Sequence, residues 1–355
     1  MLYVDPNVKR TFRKSQPEGR APFVRLDQNE NPDGVPEWLF DEAMSQITPA
    51  TLSMYPEEGP LHRKYAKLLG LGEENVCLTD GSLVGMGYLV KVFGEPGKDI
   101  VFVNPTFNMY GVFASLNGLN ARPVPYRGGF RMDIGDILDA IGERTSIVVL
   151  VNPNMPIGNV YSEEEIVSVI EKAGEYGALV IVDEAYHYFY EGTSVELVKK
   201  YDNLAVLRTF SKMLAITGLR LGAVISCREN IHHISNWRPH YTISAVTLRF
   251  GEAIVDHHDR LVEEQSRTFA EGRDYVLGWL NDHDYETIPS SGCFVCLRTK
   301  HRTAEYVTSE LRRRNILILC GSGPLEGYLR LSVCGIRYMR AFTDALAEID
   351  TETDA

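Results

Sequence analysis

The chain has 355 residues, 44% of them apolar and 24% charged, which suits one large globular domain with a smaller companion. A net charge of −12 with no Lys/Arg-rich run argues against nucleic acid or an anionic membrane as partner. No apolar run reaches the length of a membrane span, and the first residues lack the apolar core of a signal peptide. Six cysteines in so long a chain make no disulfide scaffold, so a reducing cytoplasm is the expected setting.

The first 40 or so residues are loop-rich. A strand is then expected over 75–79, a helix over about 83–93 and a strand over 99–103. Residues 146–151 are apolar and β-branched, as a strand buried on both faces should be. Residues 163–176 read as an amphipathic helix with Ser162 as N-cap. Buried strands follow over 178–182 and 204–207. Residues 221–226 come too soon for an intervening helix, which predicts an antiparallel strand. Alternating strands and helices imply a mostly parallel sheet covered on both sides. After residue 245 the pattern changes to a long polar helical stretch, roughly 248–281, and short strands over 293–297 and 328–333. The expected division is a large unit, 41–245, and a smaller α+β unit built from 1–40 and 246–355. No internal repeat or low-complexity linker is present.

Lys212 follows strand 204–207 and a turn carrying Thr209 and Ser211, with Arg220 eight residues on. An amine beside hydroxyls and a cation suits a group that forms an imine with an aldehyde and holds a phosphate next to it. Alone, Lys212 would read as a solvated lysine. Three further groups fall where strands end, the usual ligand edge of doubly wound sheets. Asp183-Glu184-Ala185-Tyr186 places a carboxylate and a phenol after strand 178–182. Asp80-Gly81-Ser82 precedes a helix, whose first N–H groups suit a phosphate. Asn152-Pro153-Asn154-Met155-Pro156-Ile157-Gly158 makes a rigid turn able to place side chains over a ring. Cys293 and Cys296, three apart in a strand, point to opposite faces and make no metal or redox pair. The pairs His232-His233 and His257-His258 lack a third ligand and read as surface histidines.

In order and spacing these pieces resemble a fold-type I pyridoxal 5'-phosphate (PLP) enzyme, and most closely the histidinol-phosphate aminotransferase branch of the class I/II aminotransferases. The likeness runs from Asn29-Glu30-Asn31-Pro32 and Tyr55-Pro56, through Gly81-Ser82 and Pro105-Thr106-Phe107-Asn108-Met109-Tyr110, to Leu329-Arg330-Leu331-Ser332. It implies an α/β fold-type I PLP transferase, with a seven-stranded-type, mostly parallel sheet and a smaller α+β domain. It implies that Lys212 forms the Schiff base and moves a proton in reactions passing through a quinonoid intermediate. Asp183 would pair with the pyridine nitrogen and Tyr186 would contact the phenolic oxygen. Phe107 would stack on the ring, with Asn154 in the adjoining turn. Gly81, Ser82, Thr209, Ser211 and Arg220 would hold the phosphate. Arg330 would take the substrate carboxylate in a bidentate pair, with Asn29 beside it. Tyr55 would reach the phosphate of a neighbouring subunit, implying a homodimer with shared sites. No metal is expected.

The chain departs from the family at Met155, where an Asn normally donates to the phenolic oxygen, and at Ile157, Leu83, Val84 and Cys293. The leading expectation is transamination between an L-amino acid, or a related amine, and a 2-oxo acid. The alternative is another PLP reaction on the same fold: elimination or replacement, decarboxylation, oxidative deamination, or cyclisation of an arginine-like amino acid. A non-catalytic PLP-binding protein would be expected to lose Lys212 or Asp183, and both are present.

Overall fold

The computed structural model describes residues 2–11 and 17–351. In chain order its strands are β1 (Val24–Leu26), β2 (Val76–Thr79), β3 (Asp99–Asn104), β4 (Asn120–Pro125), β5 (Thr145–Val151), β6 (Leu179–Asp183), β7 (Leu204–Thr209), β8 (Gly222–Ser226), β9 (Thr287–Ile288), β10 (Phe294–Arg298), β11 (Ile316–Cys320) and β12 (Tyr328–Ser332). Seven of them form one sheet in the order β2-β8-β7-β6-β5-β3-β4. All its pairings are parallel except those of β8, which runs antiparallel to both β2 and β7. The short connection from β7 to β8 therefore does what its length required.

The central strands are apolar without alternation because both faces are covered. Val148, Leu150, Val180, Val182 and Val206 face one core, which includes Ile166, Val169 and Ile170 of the helix Glu163–Gly174. Ile147, Val149, Ile181 and Leu207 face another, which includes Met86 and Leu89 of the helix Ser82–Phe93. The helix Glu163–Gly174 begins with a capping box between Ser162 and Glu165, which satisfies two of its free backbone donors.

The second sheet has the order β1-β11-β12-β10-β9. Strand β1 pairs parallel with β11, so the N-terminal segment joins strands nearly 300 residues away in sequence. The expected helical run over 248–281 is two helices, Ala245–Asp256 and His258–Asp282, broken at His257. The first packs Leu248, Phe250, Ala253 and Ile254 into the core of the large sheet, while the second sends Val276 and Leu280 into the core of the small one.

The histidine pairs differ from expectation in one respect. His232 and His233 are exposed, but His257 and His258 are half-buried, bonded to Glu42 at 3.0 Å and Tyr188 at 2.8 Å. Among the described residues no three potential ligands gather to hold a metal, all six cysteines are free, and no helix is long and apolar enough to cross a membrane.

Candidate active site

The parallel strands β6 and β7 end side by side and deliver Asp183 and Thr209 to one edge of the sheet. Asp183 is buried. Its Oδ1 accepts from the Ala185 amide at 3.1 Å and its Oδ2 from the Tyr110 hydroxyl at 2.8 Å. Burial raises the Asp183 carboxyl to about 6, against the opposing pull of those two hydrogen bonds. A cationic partner would complete the charge balance there, and a protonated pyridine nitrogen is such a partner.

Lys212 lies in the turn after β7. Its Nζ donates to the Gln28 carbonyl at 3.2 Å and sits 5.7 Å from the centre of the Tyr186 ring. Burial lowers its pKa, and the Arg330 and Arg220 cations act in the same direction. A lysine so placed is more readily a neutral amine, the form that condenses with an aldehyde. The Tyr186 hydroxyl accepts from Asn29 Nδ2 at 2.9 Å, and burial drives its own ionisation far up, so its proton is available to donate. Asn29 holds that position from a left-handed backbone (φ 54°), pinned by two bonds with Ser332 of β12.

A cluster of hydrogen-bond donors lies alongside. Gly81 has φ +83° and caps the helix Ser82–Phe93, which directs its first N–H groups outward. A β-carbon on Gly81 would collide with the Arg220 guanidinium, so glycine is what lets the cation close the cluster. Arg220 Nη1 donates to Ser211 Oγ at 3.2 Å and to the Thr217 carbonyl at 3.0 Å. The Ser211 amide donates to Thr209 Oγ1 at 3.2 Å. The helix terminus, two hydroxyls and one arginine could hold a phosphate, and the Lys212 amine and the Asp183 carboxylate lie close enough to influence each other's charge. The donor set as a whole fits PLP.

Arg330, on β12, is buried. Its Nη2 donates to the Asp27 carbonyl, and its Nη1 lies 2.9 Å from Met155 Sδ. Phe107 is half-buried beside the second core of the large sheet. Asn154 is fully buried with both ends of its amide committed. Its Nδ2 donates to the Pro105 carbonyl and the Tyr126 hydroxyl, and its Oδ1 accepts from Thr106. It thereby ties the 152–158 turn to the loop that carries Phe107. Tyr55 stands apart from these groups, 79% exposed and packed on Tyr241 with ring centres 4.6 Å apart.

Two sets of residues near the site take no role of their own from the sequence. Tyr110 was legible only as part of a motif, and its bond to Asp183 joins residues 73 apart. Glu184 and Arg208 form a buried ion pair at 2.7 Å, the first beside Asp183 and the second beside Thr209. Thr193 Oγ1 donates to Glu184 and accepts from Arg208, and His187 adds a further contact to Arg208. A Glu following the strand-end Asp and an Arg preceding Thr209 were the available hint, since adjacent parallel strands bring such positions together.

Residues 21–345 match the family model described as Aminotransferase class I and II. A histidinol-phosphate aminotransferase of Thermococcus gammatolerans is 32% identical over 329 residues, covering 92% of each chain. That of Pyrococcus furiosus is 30% identical over 312 residues, covering 87% of each. In fold, the chain superposes on the histidinol-phosphate aminotransferase of Sinorhizobium meliloti, solved in complex with PLP, with a TM-score of 0.88 at 22% identity. That superposition covers 98% of this chain and 97% of the other.

Proposed function

The chain belongs to the class I and II aminotransferases, and on that premise we propose that it moves an amino group from an L-amino acid or related amine to a 2-oxo acid with PLP held at Lys212. PLP supplies an aldehyde that condenses with amines and a cationic ring that draws electrons from the bonds at the nitrogen-bearing carbon. Lys212 Nζ would anchor the cofactor and would carry the proton removed from the substrate α-carbon. Asp183, held by Tyr110 and the Ala185 amide, keeps the ring nitrogen protonated. Tyr186 donates to the phenolic oxygen. Gly81, Ser82, Thr209, Ser211 and Arg220 hold the phosphate, Phe107 covers the ring, and Arg330 receives the substrate carboxylate near Asn29. Asn154 would serve the same ring indirectly, by fixing the turn against the Phe107 loop.

The observation that carries this reading is the position of Lys212. It is a half-buried amine of lowered pKa, set beside the Tyr186 ring and within electrostatic reach of Arg220 and Asp183. Borohydride reduction of the PLP-loaded protein followed by peptide mapping is the direct test, with the label expected on Lys212. A panel of L-amino acids, with histidinol phosphate included because the relatives carry its name, should then convert bound PLP stoichiometrically to pyridoxamine phosphate. Turnover that releases ammonia, peroxide or carbon dioxide without pyridoxamine phosphate would instead favour a non-transaminating reaction.

The active form in this reading is a cytoplasmic homodimer. Support comes from Tyr55, whose exposed ring has no role within its own chain beyond its contact with Tyr241. We read it as the side chain that would reach the phosphate held by a second copy. We also read the chain as a large PLP-binding unit, 41–245, and a small unit of 1–40 and 246–355. The two sheets with separate cores support that division, although the helix Ala245–Asp256, in the small unit by this division, packs into the core of the large sheet.

A further inference from the structure

Arg330 has five N–H donors in a planar fork, and its surroundings divide them unevenly. Nη2 donates to the Asp27 carbonyl, and Nη1 meets Met155 Sδ at 2.9 Å. Nε is buried and has no partner among the described residues. A buried donor left empty costs free energy unless something fills it, so an acceptor belongs at that edge. A carboxylate can approach a guanidinium end-on, across Nη1 and Nη2, or side-on, across Nε and the neighbouring Nη2 hydrogen. Met155 takes Nη1, which the end-on approach needs, while Nε is free and Nη2 keeps a second hydrogen besides the one given to Asp27, which favours the side-on edge.

Met155 is therefore more than a missing hydrogen-bond donor. Its thioether is a weak acceptor on a flexible apolar stem. The residue packs against a small buried cluster of Tyr186, Cys293 and Phe294. We propose that Met155 is a specificity-determining residue that holds Nη1 of Arg330 and so fixes the side-on edge, Nε with Nη2, as the receptor for the substrate carboxylate. The proposal rests on reading Arg330 as that receptor. Met155 acts through Arg330 and is a positioning residue; it touches no reacting atom in this arrangement.

The test uses the PLP-loaded enzyme and glutarate, a dicarboxylate without an amino group that binds but cannot react. Glutarate is titrated by the visible absorbance of the bound cofactor in the parent and in three variants. Arg330→Lys keeps the charge but loses the fork, and should weaken glutarate binding by about ten-fold or more. Met155→Leu keeps the apolar volume but removes the acceptor, and should weaken it by about five-fold, the factor a modest hydrogen bond is worth. Met155→Gln restores an acceptor at similar reach, and should recover the parent value within about two-fold. Cofactor content and melting temperature should be unchanged across the two Met155 variants. Unaltered glutarate binding in Met155→Leu, alongside a clear loss in Arg330→Lys, would overturn the proposal and leave the carboxylate receptor standing. Equal weakening in Met155→Leu and Met155→Gln would reduce Met155 to packing and overturn it too. No effect of Arg330→Lys would overturn the receptor assignment and the proposal together.

Discussion

The Tyr110 hydroxyl donates to Asp183 Oδ2 at 2.8 Å, and both groups are buried. The bond spans the gap between the helix Met109–Leu116 and the end of β6, and it leaves the carboxylate one fixed orientation. Removing it in Tyr110→Phe takes away a donor that favours the ionised carboxyl, so Asp183 should rise further above 6 and pair less well with a ring nitrogen. PLP affinity and turnover should each fall about ten-fold, corresponding to about 1.4 kcal/mol. A fluorescence titration with PLP checks the first, and an affinity equal to the parent's would show that the tyrosine is not needed.

The same carboxyl should be visible in the pH dependence of stability before PLP is added. Its folded pKa of about 6 lies above its ordinary 3.8, so the folded chain holds that proton more tightly than the unfolded chain. The resulting cost is absent below about pH 4, grows between 4 and 6, and is complete above 6. Asp183→Asn removes it. The cofactor-free variant should therefore be more stable than the parent at pH 7.5 by up to about 3 kcal/mol, with the difference vanishing near pH 4. Denaturant melts at the two pH values measure this. Loading with PLP should reverse the order, because only the carboxylate can pair with the ring nitrogen.

Gly81 can be tested without touching any side chain of the site. Gly81→Ala places a β-carbon against the Arg220 guanidinium, from a backbone with φ +83°. The strain is about 1–3 kcal/mol, and the displaced cation no longer closes the phosphate cup. PLP should bind at least about ten-fold more weakly, while pyridoxal, which lacks the phosphate, should bind as it does to the parent. A shared loss for both compounds would mean that the cup is not where the phosphate goes.

The Glu184–Arg208 pair should be structural in its first effect. Both partners are buried and hydrogen-bonded, so removing one leaves an uncompensated charge. Glu184→Gln should cost about 3–5 kcal/mol. A double variant, Glu184→Gln with Arg208→Met, should recover part of that. Chemical denaturation of the four proteins in this cycle gives the coupling directly, and strictly additive losses would show that the two groups do not depend on each other.

How far the site could be read from the sequence depended on distance along the chain. Strands β5, β6 and β7 announced themselves as unbroken apolar runs, because both of their faces are covered. Asp183 and Thr209 could be placed because a residue at the end of a buried parallel strand has one edge to go to. Ser162 was identifiable as a cap from local chemistry alone. The break at His257 was hidden, since the helices on either side continue the same polar pattern. The bond from Asn29 to Tyr186 was hidden too. It joins residues 157 apart and needs a left-handed asparagine held by Ser332 of the other sheet. The identity of Met155 could be read, but its contact with Arg330 could not, because nothing local brings a turn after β5 to the middle of β12.

The last prediction concerns the phenolic oxygen of bound PLP, which in this chain has one obvious side-chain donor. Tyr186 keeps its proton at any working pH, since burial drives its ionisation far above the ordinary 10. Its oxygen accepts from Asn29, which leaves the hydroxyl proton free to be donated. Met155, on the facing turn, has no hydrogen to give. Donors to the phenolic oxygen stabilise its anionic form most when the adjacent nitrogen has lost its proton, so each donor lowers the pH at which the visible band changes. Tyr186→Phe should raise that pH by about one unit, and Met155→Asn should lower it by a similar amount, each unit standing for about 1.4 kcal/mol. The two shifts should nearly cancel in the double variant, because each substitution changes the donor count by one. Absorbance titrations of the four holoenzymes decide it. A parent-like midpoint in Met155→Asn would mean that the new amide does not reach the ring, and that Met155 matters to this site only through its contact with Arg330.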